Sequence, residues 1–270
     1  GRGLRLAIIV RNDDGHIPMG YPGGKSHCYQ QLINLIPPHR VYIETHLGGG
    51  AVLHKKRPAD LNFGLDRDPA VIRGYTGKFA SNFHFVVSTA EQWLLEYEFV
   101  GDEFIYADPP YLRCTRRAVR SAYRYDYSDE EHIRLLAILT NLPCRVMISG
   151  YRNRLYQEFL SEWQAHDFEV GSRSGRRMET VWFNYRPGAV HDTRYLGRSF
   201  RERQAIKRRR QRWVRRFCDE PWPVQQALLA DLAQAFSDRV HLAAAASHPV
   251  AIGPTRCRPN TFSESTVANP

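Results

Sequence analysis

The sequence predicts an alternating α/β domain followed by a basic helical extension, and three observations predict it. Short runs rich in β-branched and aromatic residues recur between helix-like segments. One such run opens into Gly48-Gly49-Gly50 and then a helix, the strand, glycine loop and helix order of a doubly wound sheet. The last two runs are joined only by a short, arginine-rich link, so they form an antiparallel hairpin that reverses the last of seven strands.

In chain order, strands are expected at residues 41–44, 62–66, 84–88, 103–107, 146–150, 168–172 and 179–185, with no internal repeat. Helices are expected at 25–35, 51–56, 69–75, 90–97, 129–141 and 154–162, and Ser128 with Glu131 forms a capping box for the fifth. Pro187-Gly188 closes this domain. Residues 198–217 then read as a strongly basic helix with Ile206, Trp213 and Phe217 on one side. Pro221-Trp222-Pro223 breaks it before a second helix at 224–236, and from 247 the Pro-, Ser-, Thr- and Asn-rich tail reads as disordered. The expected divisions are an N-terminal segment 1–20, a main domain 21–188, the basic extension 189–246 and the tail 247–270.

A chain of 270 residues with 43% hydrophobic and 24% charged residues can build one substantial core with a small appendage. Its formal charge of +10 points to an acidic partner, nucleic acid above all. The five cysteines show neither a CxxC pair nor a zinc-type spacing, and read as reduced thiols in a cytosolic compartment, with no metal site. No apolar run approaches the roughly 20 residues that span a bilayer, which excludes a membrane role on this reading. Residues 4–10 are apolar but too short for an export signal.

The most informative stretch is Asp108-Pro109-Pro110-Tyr111, delivered by the apolar run Phe104-Ile105-Tyr106-Ala107. A strand ending this way presents a carboxylate, rigid backbone carbonyls and an aromatic face at one point. That set suits a planar base with an exocyclic amino group: carboxylate and carbonyl accept the amino hydrogens, the prolines hold the turn, and tyrosine stacks on the ring. Upstream, Glu44 leads into the glycine loop, where Gly48 and Gly50 allow close approach of a ligand, and Asp66 ends the next strand where an acid can take both ribose hydroxyls. Glu44 either caps the glycine loop or faces the ligand.

Tyr21-Pro22-Gly23-Gly24-Lys25-Ser26 is not a Walker A loop, because the required glycine five positions before the Gly-Lys pair is Met19. Lys25 is then either a point charge for a ligand carboxylate or an exposed first-turn lysine. Cys144 follows a proline but enters a strand, so it reads as a core thiol rather than a nucleophile. Arginines flank the proposed pocket: Arg113, Arg116, Arg117, Arg120 and Arg124 after the tyrosine, and Arg173, Arg176 and Arg177 in the hairpin link. Positive loops there would hold phosphates beside an extruded base. The basic run around Lys207-Arg208-Arg209-Arg210 either grips nucleic acid or is the wet face of a helix packed by Trp213.

Taken in order, Tyr-Pro-Gly-Gly-Lys, Glu-x-x-x-Gly-Gly-Gly, Asp66 and Asp-Pro-Pro-Tyr resemble the Dam-like DNA adenine-N6 methyltransferases, and the basic tail is similar to that of phage and prophage members. The resemblance spans about Tyr21 to Tyr185. It implies a class I S-adenosylmethionine-dependent methyltransferase fold, Rossmann-like, with seven strands and a reversed last one. It implies a cofactor site of Tyr21, Gly24, Lys25, Glu44, Gly48, Gly50, Asp66 and Asp108, catalysis by Asp108 to Tyr111, and double-stranded DNA as substrate for a cytoplasmic monomer in a bacterium or phage-infected cell. The same pocket chemistry leaves open cytosine-N4 or RNA adenine methylation, and a catalytically inactive DNA-binding module. Two departures stand out. The family commonly has Glu-Pro-Phe where this chain has Glu44-Thr45-His46. Asp66 and Asp108 also lie only about 40 residues apart, leaving no room for the recognition insertion of well-studied relatives. Recognition then falls to residues 113–127, the hairpin and the tail, and a short or relaxed target is expected.

Overall fold

The computed structural model describes Lys25 and residues 28–116, 124–172 and 175–237; the expected segment 1–20 and tail 247–270 lie outside these. The described chain forms two compact units, which divide between Leu196 and Gly197.

The first unit is built on a seven-stranded sheet. Its elements run α1 (Tyr29–Ile33), β1 (Val41–Glu44), α2 (Ala51–Lys55), β2 (Leu61–Asp66), α3 (Pro69–Arg73), β3 (Phe83–Val87), α4 (Ala90–Glu96), β4 (Glu103–Ala107), α5 (Asp129–Thr140), β5 (Arg145–Gly150), α6 (Arg154–Phe159), β6 (Gln164–Ser172) and β7 (Gly175–Phe183). The sheet order is β3-β2-β1-β4-β5-β7-β6. β1 to β5 are parallel, and β7 is antiparallel to both β5 and β6.

Side-chain alternation along the strands sorts the core into two layers. Tyr42, Phe104, Tyr106, Met147, Val181 and Phe183 pack one face against Leu32 and Ile33 of α1, Val52 and Leu53 of α2 and Val71 and Ile72 of α3. The alternate residues Ile43, Ile105, Ala107, Val146, Ile148 and Trp182 pack the other against Leu94 of α4, Leu135, Leu136 and Leu139 of α5 and Tyr156 of α6. Strands covered on both sides cannot alternate apolar with polar, which is why β4 is buried at all five residues. The helices start where caps predict: Asp68, Thr89 and Asn153 accept N–H groups of α3, α4 and α6, and Ser128 and Glu131 form the reciprocal box of α5.

The differences from expectation lie at the periphery. α1 spans Tyr29–Ile33 within the expected 25–35, and Pro37-Pro38 follows closely. β6 starts four residues early, at Gln164, and β7 at Gly175. These segments pair with each other at the sheet edge, where residues 164–167 are mostly exposed, so backbone pairing rather than an apolar face makes them strands.

The second unit contains α7 (Phe200–Asp219) and α8 (Trp222–Ala235), opened by the Ser199 N-cap and by Pro221. Neither helix has a buried residue. No described helix is long and apolar enough to cross a membrane.

Candidate active site

The parallel strands β1 to β4 all end on one side, and the order reverses between β1 and β4. Chains leaving those two strands diverge to opposite faces, which opens a crevice at their carboxyl ends. There lies a cleft of ≈ 700 Å³, lined by Lys25, Glu44 to Ala51, Asp66, Arg67, Ser88, Thr89, Ala90, Asp108, Pro110, Tyr125 and Tyr127. Of the sequence-derived candidates, it gathers Lys25, Glu44, Gly48, Gly50, Asp66, Asp108 and Pro110, while Pro109 and Tyr111 are not among its lining residues.

Its floor is the glycine loop. Gly48 and Gly50 take the left-handed conformation, with φ of 45° and 54°, which glycine adopts without the cost borne by a residue with Cβ. The loop is clamped from below: Gly48 N–H donates to Asp66 Oδ2 at 2.9 Å, and Tyr75 O–H donates to the Gly48 carbonyl at 2.9 Å. A Cβ on Gly50 would stand 2.8 Å from the Tyr75 hydroxyl, so any side chain there would break the cradle.

Two buried acids support this loop from different strands. Asp66 accepts Gly48 N–H on one oxygen and Asp68 N–H on the other, and burial holds its carboxyl above the ordinary range against those donors. Each oxygen keeps a further acceptor site for a ligand hydroxyl. Glu44 accepts both Tyr42 O–H (2.8 Å) and Leu53 N–H (2.9 Å) on Oε2, the latter in the first turn of α2. It therefore caps α2 from within the sheet while also lining the cleft. Burial pushes its carboxyl up to about 8.

The far wall is the Asp-Pro-Pro-Tyr turn after β4. Lys25 Nζ lies 2.7 Å from both oxygens of Asp108 and 2.7 Å from Tyr111 Oη, donating to all three, with Glu179 Oε2 at 3.7 Å. Burial pulls the Lys25 ammonium down, but the Asp108 carboxylate, with Tyr106 and Glu179, holds it well above the ordinary lysine value. Burial likewise holds the Asp108 carboxyl above its ordinary range, with Lys25 pulling the other way. Lys25 is thus no exposed first-turn lysine: it is 5% exposed and bound to Asp108. Tyr111 is buried, with Tyr151 edge-on at 4.7 Å between ring centroids.

His46, at the departure noted in the sequence, sits in a polar wall. Its Nε2 pairs with Tyr127 Oη at 3.0 Å, and that hydroxyl donates to Glu91 at 2.8 Å. The Arg67 guanidinium covers the Tyr127 ring at 4.4 Å. Burial, helped by Arg67, pushes the imidazole down to about 3, so His46 is neutral at physiological pH.

The arginines divide by environment. Arg116 is turned inward, donating to Asp126 through both terminal guanidinium nitrogens (2.9 Å for Nη1) and to the Tyr111 carbonyl through Nε. It fastens the two ends of the 113–127 segment together. Arg177 bonds the Thr115 carbonyl at 2.9 Å and covers the Tyr151 ring at 4.2 Å. Arg113 and Arg124 are the outward pair, with side chains 74% and 68% exposed. Tyr21, Gly24, Arg117, Arg120 and Arg173 lie outside the described residues, as does the side chain of Arg176. Cys144 is buried in the core and its thiol is pushed up to about 12 by burial.

Sequence reasoning missed Glu179, Tyr127, Ser88, Thr89 and Tyr151. Glu179 was legible: it shares the face of Val181 and Phe183 by alternation along β7, so a carboxylate stands at a core position. The Tyr127 network joins four separate segments and left no local signal.

The strand order with its reversed β7 is that of the class I S-adenosylmethionine-dependent methyltransferases. The family model of the D12 class N6 adenine-specific DNA methyltransferase matches residues 65–173, from the end of β2 through the hairpin link. No curated protein matches the chain. Solved structures similar to it include a precorrin 8W decarboxylase of Methanobacterium thermoautotrophicum, 12% identical over 65% of this chain and 98% of that one, with a TM-score of 0.40. They also include an rRNA methylase of Streptococcus thermophilus (10% identical, 58% and 94% covered, TM-score 0.39) and the N-methyltransferase NodS of Bradyrhizobium japonicum WM9 (10%, 58% and 94%, TM-score 0.42).

Proposed function

We propose that this chain, which belongs to the Dam-like D12 class of N6 adenine-specific DNA methyltransferases, methylates adenine N6 within double-stranded DNA at a short or relaxed target. The observation that carries the reading is the buried Lys25–Asp108–Tyr111 constellation, whose Lys25 and Asp108 line the glycine-floored cleft.

The methyl donor is S-adenosylmethionine, and the residues present fit it. The cleft floor at Gly48, Gly49 and Gly50 carries no side chain, and Asp66 offers unused acceptor capacity at the end of β2, as a nucleoside with ribose hydroxyls requires. Gly48, Gly50 and Asp66 would hold it. When bound, it supplies an electrophilic sulfonium methyl group.

The chain's own part is to present and polarise the target amino group. Asp108 and the Pro109 carbonyl accept the two amino hydrogens, which draws the nitrogen lone pair out of conjugation and directs it across the cleft. Tyr111, held by Lys25 and Tyr151, provides the stacking face for a base turned out of the duplex, at a cost of a few kcal/mol. Lys25 keeps Asp108 anionic despite its burial, so Asp108 acts as an acceptor. Asp108 need not be a strong base, because the proton leaves only as the new bond forms. Orientation and fixed dipoles supply the rate gain.

Of the arginines described, Arg113, Arg124 and Arg177 are the proposed phosphate contacts, while Arg116 positions the loop that carries the first two. Only α3, β3, α4 and β4 separate Asp66 from Asp108, and no recognition insertion lies between them. This supports target reading by the 113–127 segment and the hairpin, in a monomer acting on cytoplasmic DNA.

The test is incubation of the chain with duplex DNA and labelled S-adenosylmethionine, followed by mass spectrometry of the nucleosides. N6-methyladenine is expected, and Asp108→Ala should abolish it without unfolding the protein. N4-methylcytosine as the product, or more than a tenth of the activity surviving in Asp108→Ala, would overturn the reading.

A further inference from the structure

Helix α7 is absorbed by nothing in the site. Its 20 residues carry nine arginines and lysines against Glu202 and Asp219, a net +7 within a chain of +10. Glu202 is engaged at the helix start, where its side chain accepts Arg198 N–H at 2.8 Å and its N–H donates to Ser199 at 3.1 Å. The charges are also ordered. At 100° per residue, Arg201, Arg208, Arg209, Arg212, Arg215 and Arg216 fall within one arc of about 120°, beside the stripe of Ile206, Trp213 and Phe217; Arg216 lies 5.9 Å from the Trp213 ring centroid, and Asp219, the last residue of the helix, shares the bearing of Arg201. All six are exposed.

From Arg201 to Arg216 this face carries no acid, whereas a face that served only solubility would mix signs, because like charges three and four residues apart repel and destabilise a helix. Here Arg208 and Arg212, and Arg212 with Arg215 and Arg216, are such pairs. Eight of the nine cations are arginine, whose planar fork suits phosphate better than a lysine point charge does. At 1.5 Å per residue the stripe is about 22 Å long, roughly two thirds of a duplex turn.

We propose that α7 is an electrostatic anchor that grips the phosphate backbone of duplex DNA through this arginine stripe, independently of base sequence and of the methyl-transfer cleft. Naming DNA as the polyanion rests on the proposed function; the grip on phosphate rests on the helix alone. An anchor of this kind holds the polymer while the cleft samples adenines, which suits a protein with a short target.

The test uses the full chain and the variant R201Q/R208Q/R209Q/R212Q/R215Q/R216Q, with anisotropy of a labelled 30-base-pair duplex measured across salt concentrations. Each phosphate contact contributes about 0.9 to the slope of log affinity against log salt, so the slope should fall by about 5, with an affinity loss on the order of 100-fold or more at 100 mM salt. A fall of two or more supports the anchor, and a smaller one overturns it. The six arginine-to-lysine changes should keep the slope; losing it there too would mark a structural effect and overturn the proposal. Sedimentation without DNA supplies a further check, since wild-type self-association that the glutamine variant abolishes would assign the stripe to a second copy of the chain. Wild-type binding with the steep slope but no N6-methyladenine would sink the methyl-transfer reading and leave the anchor standing.

Discussion

Replacing Glu44 by glutamine should stabilise the protein, and increasingly so as pH rises. The side chain is 3% exposed, and burial moves its carboxyl from 4.5 to about 8. Below pH 4.5 folded and unfolded chains both hold the proton, and no penalty applies. Between 4.5 and 8 the folded chain keeps a proton that the unfolded chain releases, so stability falls with each pH unit by about 1.4 kcal/mol. Above 8 the penalty is complete, at about 5 kcal/mol. Glutamine removes this titration but keeps the architecture, because both donors, Tyr42 O–H and Leu53 N–H, use the single oxygen Oε2. Urea unfolding of both proteins, without cofactor, at pH 5, 6, 7 and 8 is the measurement. Subtracting the two curves cancels every other titrating group. The stability difference in favour of Glu44→Gln should grow by about 3.5 kcal/mol from pH 5 to pH 8. Growth of less than 1 kcal/mol would show that Glu44 is ionised in the folded protein, and that the burial argument is wrong.

Two further outcomes follow from the same site. Lys25→Met leaves Asp108 and Glu179 facing each other without their cation, so denaturant unfolding at pH 7 should show a loss of about 3–5 kcal/mol, and methyl transfer should vanish even at temperatures where the variant stays folded. Gly50→Ala places a methyl group 2.8 Å from the Tyr75 hydroxyl at a φ of +54°. Calorimetric titration should show S-adenosylmethionine binding weakened by at least about tenfold, since the left-handed conformation alone costs an L-residue roughly 1–2 kcal/mol.

What could be read in advance follows from where each signal resides. β1 and β4 occupy the expected residues 41–44 and 103–107, because strands buried on both faces are continuous apolar runs that no loop would carry. The α5 boundary was legible for a different reason, since Ser128 and Glu131 satisfy each other's backbone locally. β6 and β7 were cut short at their polar ends, where pairing between edge segments leaves no hydrophobic period. The arginines resisted most. Arg116 and Arg113 look alike in sequence and both reach Asp126, yet Arg116 is turned inward and also bonds the Tyr111 carbonyl, while Arg113 meets Asp126 at 3.5 Å from an exposed side chain. Asp126 lies ten residues beyond Arg116, so no local pattern decides which is which. Lys25 posed the same difficulty, as its partner lies 83 residues away.

On the proposed mechanism, the Lys25–Asp108 pair lets Asp108 serve as an acceptor where burial opposes its charge. Left alone, a buried aspartate takes up a proton, and a protonated carboxyl turns an O–H donor toward an amino group that itself needs acceptors. Exposure would keep Asp108 ionised, but water would then compete for its oxygens and loosen the geometry. A buried ammonium at 2.7 Å from both oxygens resolves the conflict by fixing the charge and the plane of the carboxylate together. Glu179, at 3.7 Å from the same ammonium, gives Lys25 a second acidic neighbour. Buried pairs of this kind add little to stability compared with an apolar replacement. An all-apolar set would fold as well, but under the proposed mechanism it would leave the target nitrogen nothing to donate to.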